Sequence, residues 1–484
     1  MKFMVKIFPE VMVKGDAVKK KMIRQLYFNL KTLFERTAVD VELKRFWDKL
    51  EALCSDDVSE TVRQILIKTP GIEQVLEAQQ YPAKTLDAIA DVVVAQAADS
   101  IKDKRFVVRA KRTGTHDFTS NDIERYVGQR LFDLQISAGV DLKNPQVKIE
   151  LEVHQDQLNL IQHRHKGLGG FPMGTQGEVL SLVSGGFDST VASYLMMRRG
   201  LKTHFVFFNL GGAAHELGVK QVALYLWEQF GGSHRVSFVS VPFEAVVAEI
   251  FRTSHETYMG VVLKRLMLKA AEQIADQMGI DALVMGDAVG QVSSQTLRNM
   301  AMIDRVTDKL VLRPLAVMHK QDIMSLADRI GTREFAESMP EYCGVISQNP
   351  VINSSAKRIE LETNRFDLAV LNQAVAAAQK IAVDEVVENV NATAAVEICH
   401  QLGEAVVIDI RKMPLPERFP LEVAPKLVIP FYELNQKFKQ LDSTQQYLLY
   451  CQKGVMSQLH AQYLRDQGYE NVRVYRPALV MLPN

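Results

Sequence analysis

The stretch Leu180-Ser-Leu-Val-Ser-Gly-Gly-Phe-Asp-Ser-Thr-Val-Ala-Ser-Tyr194 decides the fold of the central part of the chain. Its apolar start is typical of a buried strand, Ser184-Gly-Gly186 is typical of a tight turn, and Asp188 and Ser189 suit the start of a helix. A strand that turns directly into a helix points free amides and the positive helix end at one spot, where phosphate binds. The alternative is a tight turn with a good N-cap. No lysine of the Walker type follows, which argues against a P-loop NTPase.

Strand-like and helix-like runs alternate around this turn. Strands are predicted near 179–183, 204–209, 235–241 and 282–285, and helices at 189–199, 218–230 and 262–278. This order of βαβ units predicts a doubly wound parallel sheet. After a mainly helical link at 368–379, a smaller α/β module is predicted from strands near 405–410, 447–450 and 472–475 and helices at 432–439 and 457–467.

The first 165 residues predict small α+β modules. Alternating apolar residues predict a strand at 3–7, followed by a helix at 19–37 and a strand at 39–43. Further strands are predicted near 72–77, 105–110 and 147–153, with helices at 86–98 and 120–135. The glycine-rich stretch 163–177 is typical of a linker.

Length and composition exclude several classes of protein. With 484 residues the chain exceeds the roughly 250–300 residues of one core, so we expect three or four domains. Its 47% hydrophobic and 24% charged residues are typical of soluble globular proteins. Polar residues break the most apolar stretches, such as 368–383, before they are long enough to span a membrane, and Lys6 and Glu10 lie where a signal peptide would be apolar. We therefore expect no membrane-spanning segment and a cytoplasmic protein.

Charge points to nucleic acid at one place in the sequence. The 57 basic and 57 acidic residues cancel, so a nucleic-acid partner needs a local patch. Such a patch spans 101–112, where alternation along a strand puts Arg105, Arg109 and Lys111 on one side, with Arg112 at the end. This side is a candidate phosphate track; the alternative is an ordinary solvated strand edge.

Four cysteines lack any C-x-x-C spacing, so neither a disulfide framework nor a cysteine zinc site is predicted. Cys451 ends an apolar strand and precedes a short loop and a helix. Loop amides and a helix start stabilise a thiolate or a persulfide anion there. The alternative is a small buried side chain. Cys343 lies between proline and glycine in a predicted exposed turn, while Cys54 and Cys399 have no such surroundings.

Two motifs resemble known nucleotide-binding sequences. Ser184-Gly-Gly-Phe-Asp-Ser189 resembles the PP-loop of the ATP pyrophosphatases, and Met285-Gly-Asp-Ala-Val-Gly-Gln-Val-Ser-Ser-Gln-Thr296 resembles a motif of the tRNA 4-thiouridine synthases, or tRNA sulfurtransferases. The resemblance implies ATP with Mg²⁺. For Lys264 and Lys320, the alternative is that each is an ordinary helix lysine with no ligand. The implied nucleotide contacts are Leu182, Val183, Ser184, Gly185, Gly186, Asp188, Ser189, Lys264, Gly286, Gln295 and Lys320.

Further resemblances extend over nearly the whole chain. The segment from Tyr447 to Ser457 and the Asp409-Ile-Arg411 run resemble rhodanese domains, although many rhodaneses carry arginine where this chain has Ser457. Residues 106–118 resemble the RNA-binding THUMP domain. The implied fold is multidomain α/β and α+β: a ferredoxin-like domain at 1–60, a THUMP domain at 61–165, a doubly wound PP-loop domain at 175–385 and a small α/β rhodanese domain at 396–484.

The resemblance implies an ATP-dependent tRNA sulfurtransferase that adenylates a uridine, the family's target being the eighth position, and replaces its oxygen with sulfur. Asp188 would serve the nucleotide, Cys451 would carry the persulfide, and Cys343 would form a transient disulfide with it. The implied partners are tRNA, a cysteine desulfurase and a second copy of the chain. Two alternatives remain, namely a sulfur carrier for thiazole synthesis and a non-catalytic RNA-binding protein.

Overall fold

The structure is a computed structural model. It describes residues 1–210, 212–338, 350–386, 396–411, 415–418, 420–429, 433–434, 437–451, 457, 460–461, 464–465 and 467–477. The chain divides into two compact units, one formed by Met1–Gln176 with Arg198–Gly200 and the other by Gly177–Met197 with Leu201–Asn484. In the described part of the chain, no helix has both the length and the apolar character that a membrane crossing requires.

The first unit is built on one eight-stranded sheet, in the order β2-β3-β1-β4-β8-β7-β5-β6. Five helices accompany it: α1 (Pro9–Met12), α2 (Asp16–Arg36), α3 (Ser59–Lys68), α4 (Leu86–Ala97) and α5 (Ser120–Phe132). The strands are β1 (Lys2–Ile7), β2 (Glu42–Arg45), β3 (Lys49–Leu53), β4 (Ile72–Pro82), β5 (Arg105–Thr113), β6 (Gly139–Val140), β7 (Val147–His154) and β8 (Gln157–Gly169).

Strand β4 joins the two halves of this sheet. It pairs antiparallel with β1, from Lys2 opposite Ala78 to Ile7 opposite Ile72. Its other edge pairs antiparallel with β8 along the whole strand. A single hydrogen-bonded sheet therefore includes both of the segments predicted as separate ferredoxin-like and THUMP domains. The division between them at residue 60 stays a prediction.

Two apolar cores lie against the sheet. Phe3 and Val5 are alternate residues of β1, and they share one core with Leu26 and Leu30 of α2. All four side chains are fully buried. Farther along the chain, Phe106 of β5 packs in a second core with residues of α4 and α5. The predicted period-2 and period-3.6 patterns thus bury the faces that they mark.

The predicted linker at 163–177 is wrong for its first part, because residues 163–169 form the end of β8. The glycine content misled the prediction. Gly167 lies against the backbone carbonyl of Ile72, and a Cβ at this position would clash with that carbonyl. The glycine therefore permits close pairing of two strands and does not mark a loop.

The second unit contains the predicted doubly wound sheet, in the order β13-β12-β9-β10-β11-β14. Its first five strands pair parallel, whereas β14 is antiparallel to β11. The strands are β9 (Glu178–Leu182), β10 (Lys202–Asn209), β11 (Ser237–Pro242), β12 (Ala282–Val284), β13 (Leu310–Leu312) and β14 (Gln379–Ala382). The predicted helical link at 368–379 is thus shorter than expected, because its end joins the sheet as an edge strand.

Helices cover both faces of this sheet. Phe207 of β10 contacts His215 on one face, and Val206 packs in the large core that surrounds α9 on the other. The helices are α6 (Phe187–Arg198), α7 (Gly212–Leu226), α8 (Glu244–Thr253), α9 (Met259–Met278), α10 (Leu297–Asp304), α11 (Lys320–Ile330), α12 (Arg333–Ser338), α13 (Ala356–Asn364) and α14 (Leu368–Ala376).

The last part of the chain forms the predicted smaller α/β fold. Its five strands are all parallel, in the order β15-β19-β18-β16-β17. They are β15 (Ile398–Cys399), β16 (Val406–Asp409), β17 (Lys426–Val428), β18 (Tyr447–Tyr450) and β19 (Val472–Tyr475), and a short helix spans Leu415–Arg418. The multidomain α/β and α+β fold class is therefore confirmed.

Candidate active site

The strand order of the doubly wound sheet fixes where a ligand can bind. The chain leaves β9 toward β10 on one side, then returns after β11 to place β12 on the other side of β9. Ligands of such sheets bind outside the carboxyl ends of the strands at this reversal. The turn after β9 and the loop after β12 carry the two motifs, so the topology brings them to one crevice.

Hydroxyl groups hold the turn after β9 in shape. The Ser184 backbone N–H donates to Ser189 Oγ at 3.1 Å, and Ser189 Oγ donates to the Gly186 carbonyl at 3.3 Å. Thr190 Oγ1 donates to the same carbonyl at 2.8 Å. Gly185 has a φ of +81°, a conformation that favours glycine. The Ser189 side chain therefore shapes the loop.

Gly286 acts through close packing. A Cβ at this position would lie 2.7 Å from the Asp188 carbonyl carbon and 2.7 Å from the Ser189 amide nitrogen. The loop after β12 thus presses directly against the backbone where α6 begins. Any side chain larger than hydrogen would push the two motifs apart.

Asp188 is the acidic centre of the crevice. Its carboxylate accepts hydrogen bonds from Lys320 Nζ at 2.9 and 3.0 Å and from Gln291 Nε2 at 2.8 Å. Lys320, the first residue of α11, also lies 5.6 Å from the centre of the Phe187 ring. The structure thus brings together two residues 132 positions apart that the sequence predicted separately.

Asp287 is a buried hub that the sequence reading did not single out. It accepts from Lys264 Nζ at 2.7 Å, from Gln295 Nε2 at 3.1 Å and from Arg313 Nε at 3.1 Å. Burial raises the pKa of this carboxyl, but the charges and hydrogen bonds of Lys264 and Arg313 outweigh burial, so its pKa lies below the usual range. The aspartate is ionised and fixes two predicted nucleotide contacts in place.

Leu182 and Val183, which were also predicted to contact the nucleotide, lie at the end of the central strand β9. Leu182 is the last residue of β9, and the Val183 backbone N–H donates to the Val206 carbonyl at 2.9 Å. Both residues therefore lie at the carboxyl edge that leads into the turn. Arg313 also reaches this region, binding Asp304 through two nitrogens at 2.8 and 2.6 Å. No sequence motif marked Arg313.

Mg²⁺ prefers one or two protein carboxylates together with phosphate oxygens. Within the described residues there is no group of three or more acidic, histidine or cysteine side chains that could hold a metal ion alone. The Asp188 carboxylate in the crevice therefore fits a Mg²⁺ site that the protein and the nucleotide form together, in which phosphate oxygens supply the remaining ligands.

Cys451 follows β18 and is 8% exposed. The Ser457 backbone N–H donates to its Sγ at 3.3 Å, and Ser457 Oγ lies 3.4 Å from the same sulfur. The amide N–H is a donor that suits an anionic sulfur, whereas the thiol donates to the Ser457 hydroxyl. Residues 452–456 lie outside the described part of the chain.

An ion pair supports the strand next to this cysteine. Arg411 donates to the Asp409 carboxylate through Nε at 2.9 Å and Nη2 at 2.6 Å, and its guanidinium lies 5.2 Å from the Tyr450 ring centre. The hydrogen bond to Asp409 raises the pKa of Arg411. The Asp-x-Arg run therefore places a permanent cation beside the strand that carries Cys451.

The other cysteines differ in their surroundings. Burial raises the pKa of the Cys54 and Cys399 thiols, which disfavours the reactive thiolate. Cys343 lies outside the described residues, so its resolving role stays a prediction.

The four predicted RNA contacts all lie on β5, but their partners differ. Arg105 is 3.6 Å from an Asp141 carboxylate oxygen, and Arg109 is held by Glu124 at 3.4 Å. Arg112 Nη1 donates to the Gly114 carbonyl at 2.9 Å. Lys111 is exposed, and its ammonium has no partner among the residues that the structure describes.

Comparison with known proteins finds a family match for each of the three parts of the chain that carry these sites. A family model described as thiamine biosynthesis protein (ThiI) matches residues 174–368, a THUMP domain model matches 83–161, and a rhodanese-like domain model matches 399–479. The two motif-bearing loops lie inside the first match, β5 inside the second, and Cys451 inside the third.

Solved structures with a similar fold include a 4-thiouridine synthetase in complex with RNA and bound ATP, with a TM-score of 0.70 and 23% identity. That likeness covers 79% of this chain and 99% of the other. PH1313 from Pyrococcus horikoshii Ot3 has a TM-score of 0.53 and 18% identity, over 68% of this chain and 100% of its own.

Similarity to curated relatives is much stronger and extends from end to end. The tRNA sulfurtransferase of Pseudomonas syringae pv. syringae (strain B728a) is 48% identical, and that of Pseudomonas aeruginosa (strain UCBPP-PA14) is 50% identical. Each comparison covers 99% of this chain and 100% of the relative. The family suggested by the two loop motifs is thereby confirmed, and the chain belongs to the tRNA sulfurtransferases.

Proposed function

We propose that the chain makes 4-thiouridine in tRNA, using ATP to activate the uridine and a persulfide on Cys451 as the sulfur source. The observation that carries this proposal is the crevice at the sheet reversal, where Asp188 and Lys320 meet beside a phosphate-binding turn. The fold is similar to that of a 4-thiouridine synthetase with bound ATP and RNA, which supports the same pair of ligands here.

In the first step the uridine O4 attacks the α-phosphorus of ATP. An O–P bond forms, the bond to the pyrophosphate breaks, and the uridine carries AMP as a leaving group at C4. The amides of Gly185 and Gly186 and the start of α6 bind the departing phosphates. Mg²⁺ held with the nucleotide by Asp188 would neutralise pyrophosphate charge. Lys320 supplies a further cation at the same carboxylate.

In the second step the terminal sulfur of the Cys451 persulfide attacks C4, and AMP leaves. The uridine is then joined to the cysteine through a disulfide. A second thiol, assigned to Cys343, attacks Cys451 Sγ and releases the thiolated uridine. The product of this step is a disulfide between the two cysteines, so a reductant must restore both thiols before the next turnover.

Charging of Cys451 requires an external sulfur donor. A cysteine desulfurase fits this role, and its pyridoxal phosphate would belong to that partner and not to this chain. The Ser457 N–H and hydroxyl near Sγ support persulfide carriage. The arginine that many rhodaneses have at position 457 is absent, which argues against thiosulfate as the donor.

A second candidate function is delivery of sulfur from Cys451 to thiazole synthesis. The description of the matching family model, thiamine biosynthesis protein, favours this role beside tRNA thiolation. The two functions have different needs, because thiazole supply requires the rhodanese-like segment alone. Asp188→Ala should therefore abolish tRNA thiolation and leave thiazole supply intact.

The decisive experiment is mass analysis of tRNA after incubation with the full chain, ATP, cysteine and a cysteine desulfurase. We expect 4-thiouridine with wild-type protein and none with Asp188→Ala, while tRNA binding is unchanged. Asp328→Ala, which removes an exposed aspartate paired with Arg333, is the matched control and should retain activity. Unchanged thiolation by Asp188→Ala would contradict the assignment of the nucleotide site.

A further inference from the structure

A cavity of about 320 Å³ lies in the second unit, formed by residues outside the candidate active site. Its volume falls within the range of about 300–1,000 Å³ that is typical of small-ligand sites. Residues from α9, α13 and the segments after α10 and α13 line it, and these include Arg265, Lys269, Arg305, Thr363, Asn364 and Phe366.

Three cations converge on this cavity. Arg265 and Lys269 lie one turn apart on α9, a spacing at which like charges repel. Arg305 follows α10 and adds a third positive charge. Among the described residues, neither Lys269 nor Arg305 has an ion pair or a hydrogen bond through its side chain. The fold therefore tolerates an unfavourable cluster of like charges here.

Arg265 is held rigidly at the wall of the cavity. It is 6% exposed, its Nε donates to Thr363 Oγ1 at 3.0 Å, and its Nη1 donates to the Met302 carbonyl. A guanidinium has five N–H donors, and the other three have no partner among the described residues. Burial lowers the pKa of Arg265, and the charge of Arg305 lowers it further. A buried cation in this state needs an anion.

Most carboxylates near these residues in the sequence are engaged elsewhere, and Asp304, next to Arg305, pairs with Arg313 at 2.6 Å. Glu362 binds Arg358 at 2.7 Å and accepts from a backbone N–H at 2.9 Å. Glu272 accepts from Thr307 Oγ1 at 2.8 Å. Exposed Glu360 acts on Arg265 through its charge alone. Protein carboxylates thus leave the cavity with an excess of positive charge.

We propose that this cavity binds a phosphate group, carried by the tRNA backbone or present as a free phosphate anion. Arginine suits this ligand, because its planar donors match phosphate oxygens. Thr363 and Asn364 add polar groups at the rim. The assignment to tRNA rests on the proposed function, whereas the assignment of phosphate chemistry does not. The site differs from the phosphate-binding turn, which lies at the carboxyl edge of the sheet.

The test uses the full chain with Lys269→Gln and Arg305→Gln combined, since both side chains can be changed without emptying the core. The control combines Lys309→Gln and Arg333→Gln, which removes two charges that are already paired with Asp276 and with acidic residues of α11 and α12. The first measurement is the tRNA association constant between 50 and 200 mM salt. The second is the rise in unfolding midpoint on adding inorganic phosphate, without ATP or tRNA.

If the ligand is a tRNA phosphate, the slope of log K against log salt should be less steep by about 0.9 in the test variant, with about eightfold weaker binding near 0.1 M salt, and unchanged in the control. If it is a free anion, the slope should stay unchanged and the test variant should gain less stability from phosphate than the control. Equal slopes and equal phosphate stabilisation in both variants would overturn the proposal. If the wild-type protein fails to thiolate tRNA, the proposed function is wrong. The stabilisation by inorganic phosphate would still decide whether the cavity binds a phosphate group.

Discussion

Asp287→Asn should destabilise the doubly wound fold strongly although it only replaces one carboxylate oxygen with an amide nitrogen. The carboxylate is 4% exposed and balances Lys264 and Arg313, whose side chains are 19% and 9% exposed. Removing one partner of a buried ion pair costs about 3–5 kcal/mol. Because Lys264 is partly solvated and Arg313 keeps Asp304, we expect the lower end, about 3 kcal/mol.

Fluorescence can isolate this effect in a multidomain chain. The protein has 2 tryptophans: Trp227 is buried in the second unit, whereas Trp47 is 73% exposed in the first. In a Trp47→Phe background, urea unfolding followed at Trp227 should show a midpoint about 1–1.5 M lower for Asp287→Asn, given a slope of about 2–3 kcal/mol per molar urea. Asp304→Asn is the control and should cost about 1 kcal/mol, since that carboxylate is 40% exposed.

The pH dependence of this difference has a definite sign. The folded-state pKa of Asp287 is depressed, so the stabilisation is fully present above the unfolded-state value of about 3.9 and is lost as pH falls through the folded-state pKa. The gap between wild type and Asp287→Asn should therefore be constant from pH 8 to 5 and shrink below about pH 4. The role of Asp287 as a buried hub would be refuted if Asp287→Asn were as stable as wild type at pH 7. It would also be refuted if Asp287→Asn and Asp304→Asn lowered the free energy of unfolding equally.

Other changes test the remaining sites. Gly286→Ala should abolish ATP-dependent pyrophosphate release with an unchanged circular dichroism spectrum, because the added Cβ would lie 2.7 Å from the loop backbone; normal turnover would show that the two loops need not touch. Lys111→Ala should weaken tRNA binding more than Arg109→Ala, because Arg109 is already paired with a carboxylate; titrations at several salt concentrations would expose the reverse order. Cys451→Ser should accept no persulfide, whereas Cys343→Ser should load sulfur and stop after one transfer. Peptide mapping of non-reduced wild-type protein after turnover should find these two cysteines joined, and full turnover by Cys343→Ser would overturn its resolving role.

Local sequence signals predicted most elements of the fold. The strand and turn around Ser184 and the helix after it follow from an apolar run, two glycines and a capping residue, all within about 15 positions. Where pairing partners are distant, prediction failed. Strand β8, which was not predicted at all, and the edge strand β14 exist because β4 and β11 offer hydrogen-bonding edges to them, which no local pattern reveals.

The site was predicted in the same uneven way. Motif positions such as Asp188 and Lys320 could be named, but their direct contact depends on the sheet order. Asp287 stood inside the quoted motif, yet its role as a hub needed the positions of Lys264 and Arg313. Likewise, the basic run on β5 could not reveal that Glu124, fifteen residues away on α5, neutralises Arg109.

Because β4 is paired on both edges, with β1 and with β8, the choice of where to truncate the protein affects whether a fragment stays soluble. A fragment that begins at residue 61 would lose β1 and leave one edge of β4 bare from Ile72 to Ala78, a run that includes the fully buried Val75 and Leu76. Bare apolar strand edges recruit other chains and drive aggregation. Residues 1–176 keep β1 paired with β4 and are therefore the continuous part of this region that we expect to survive excision in soluble form, so RNA-binding fragments should be cut to keep β1 in place.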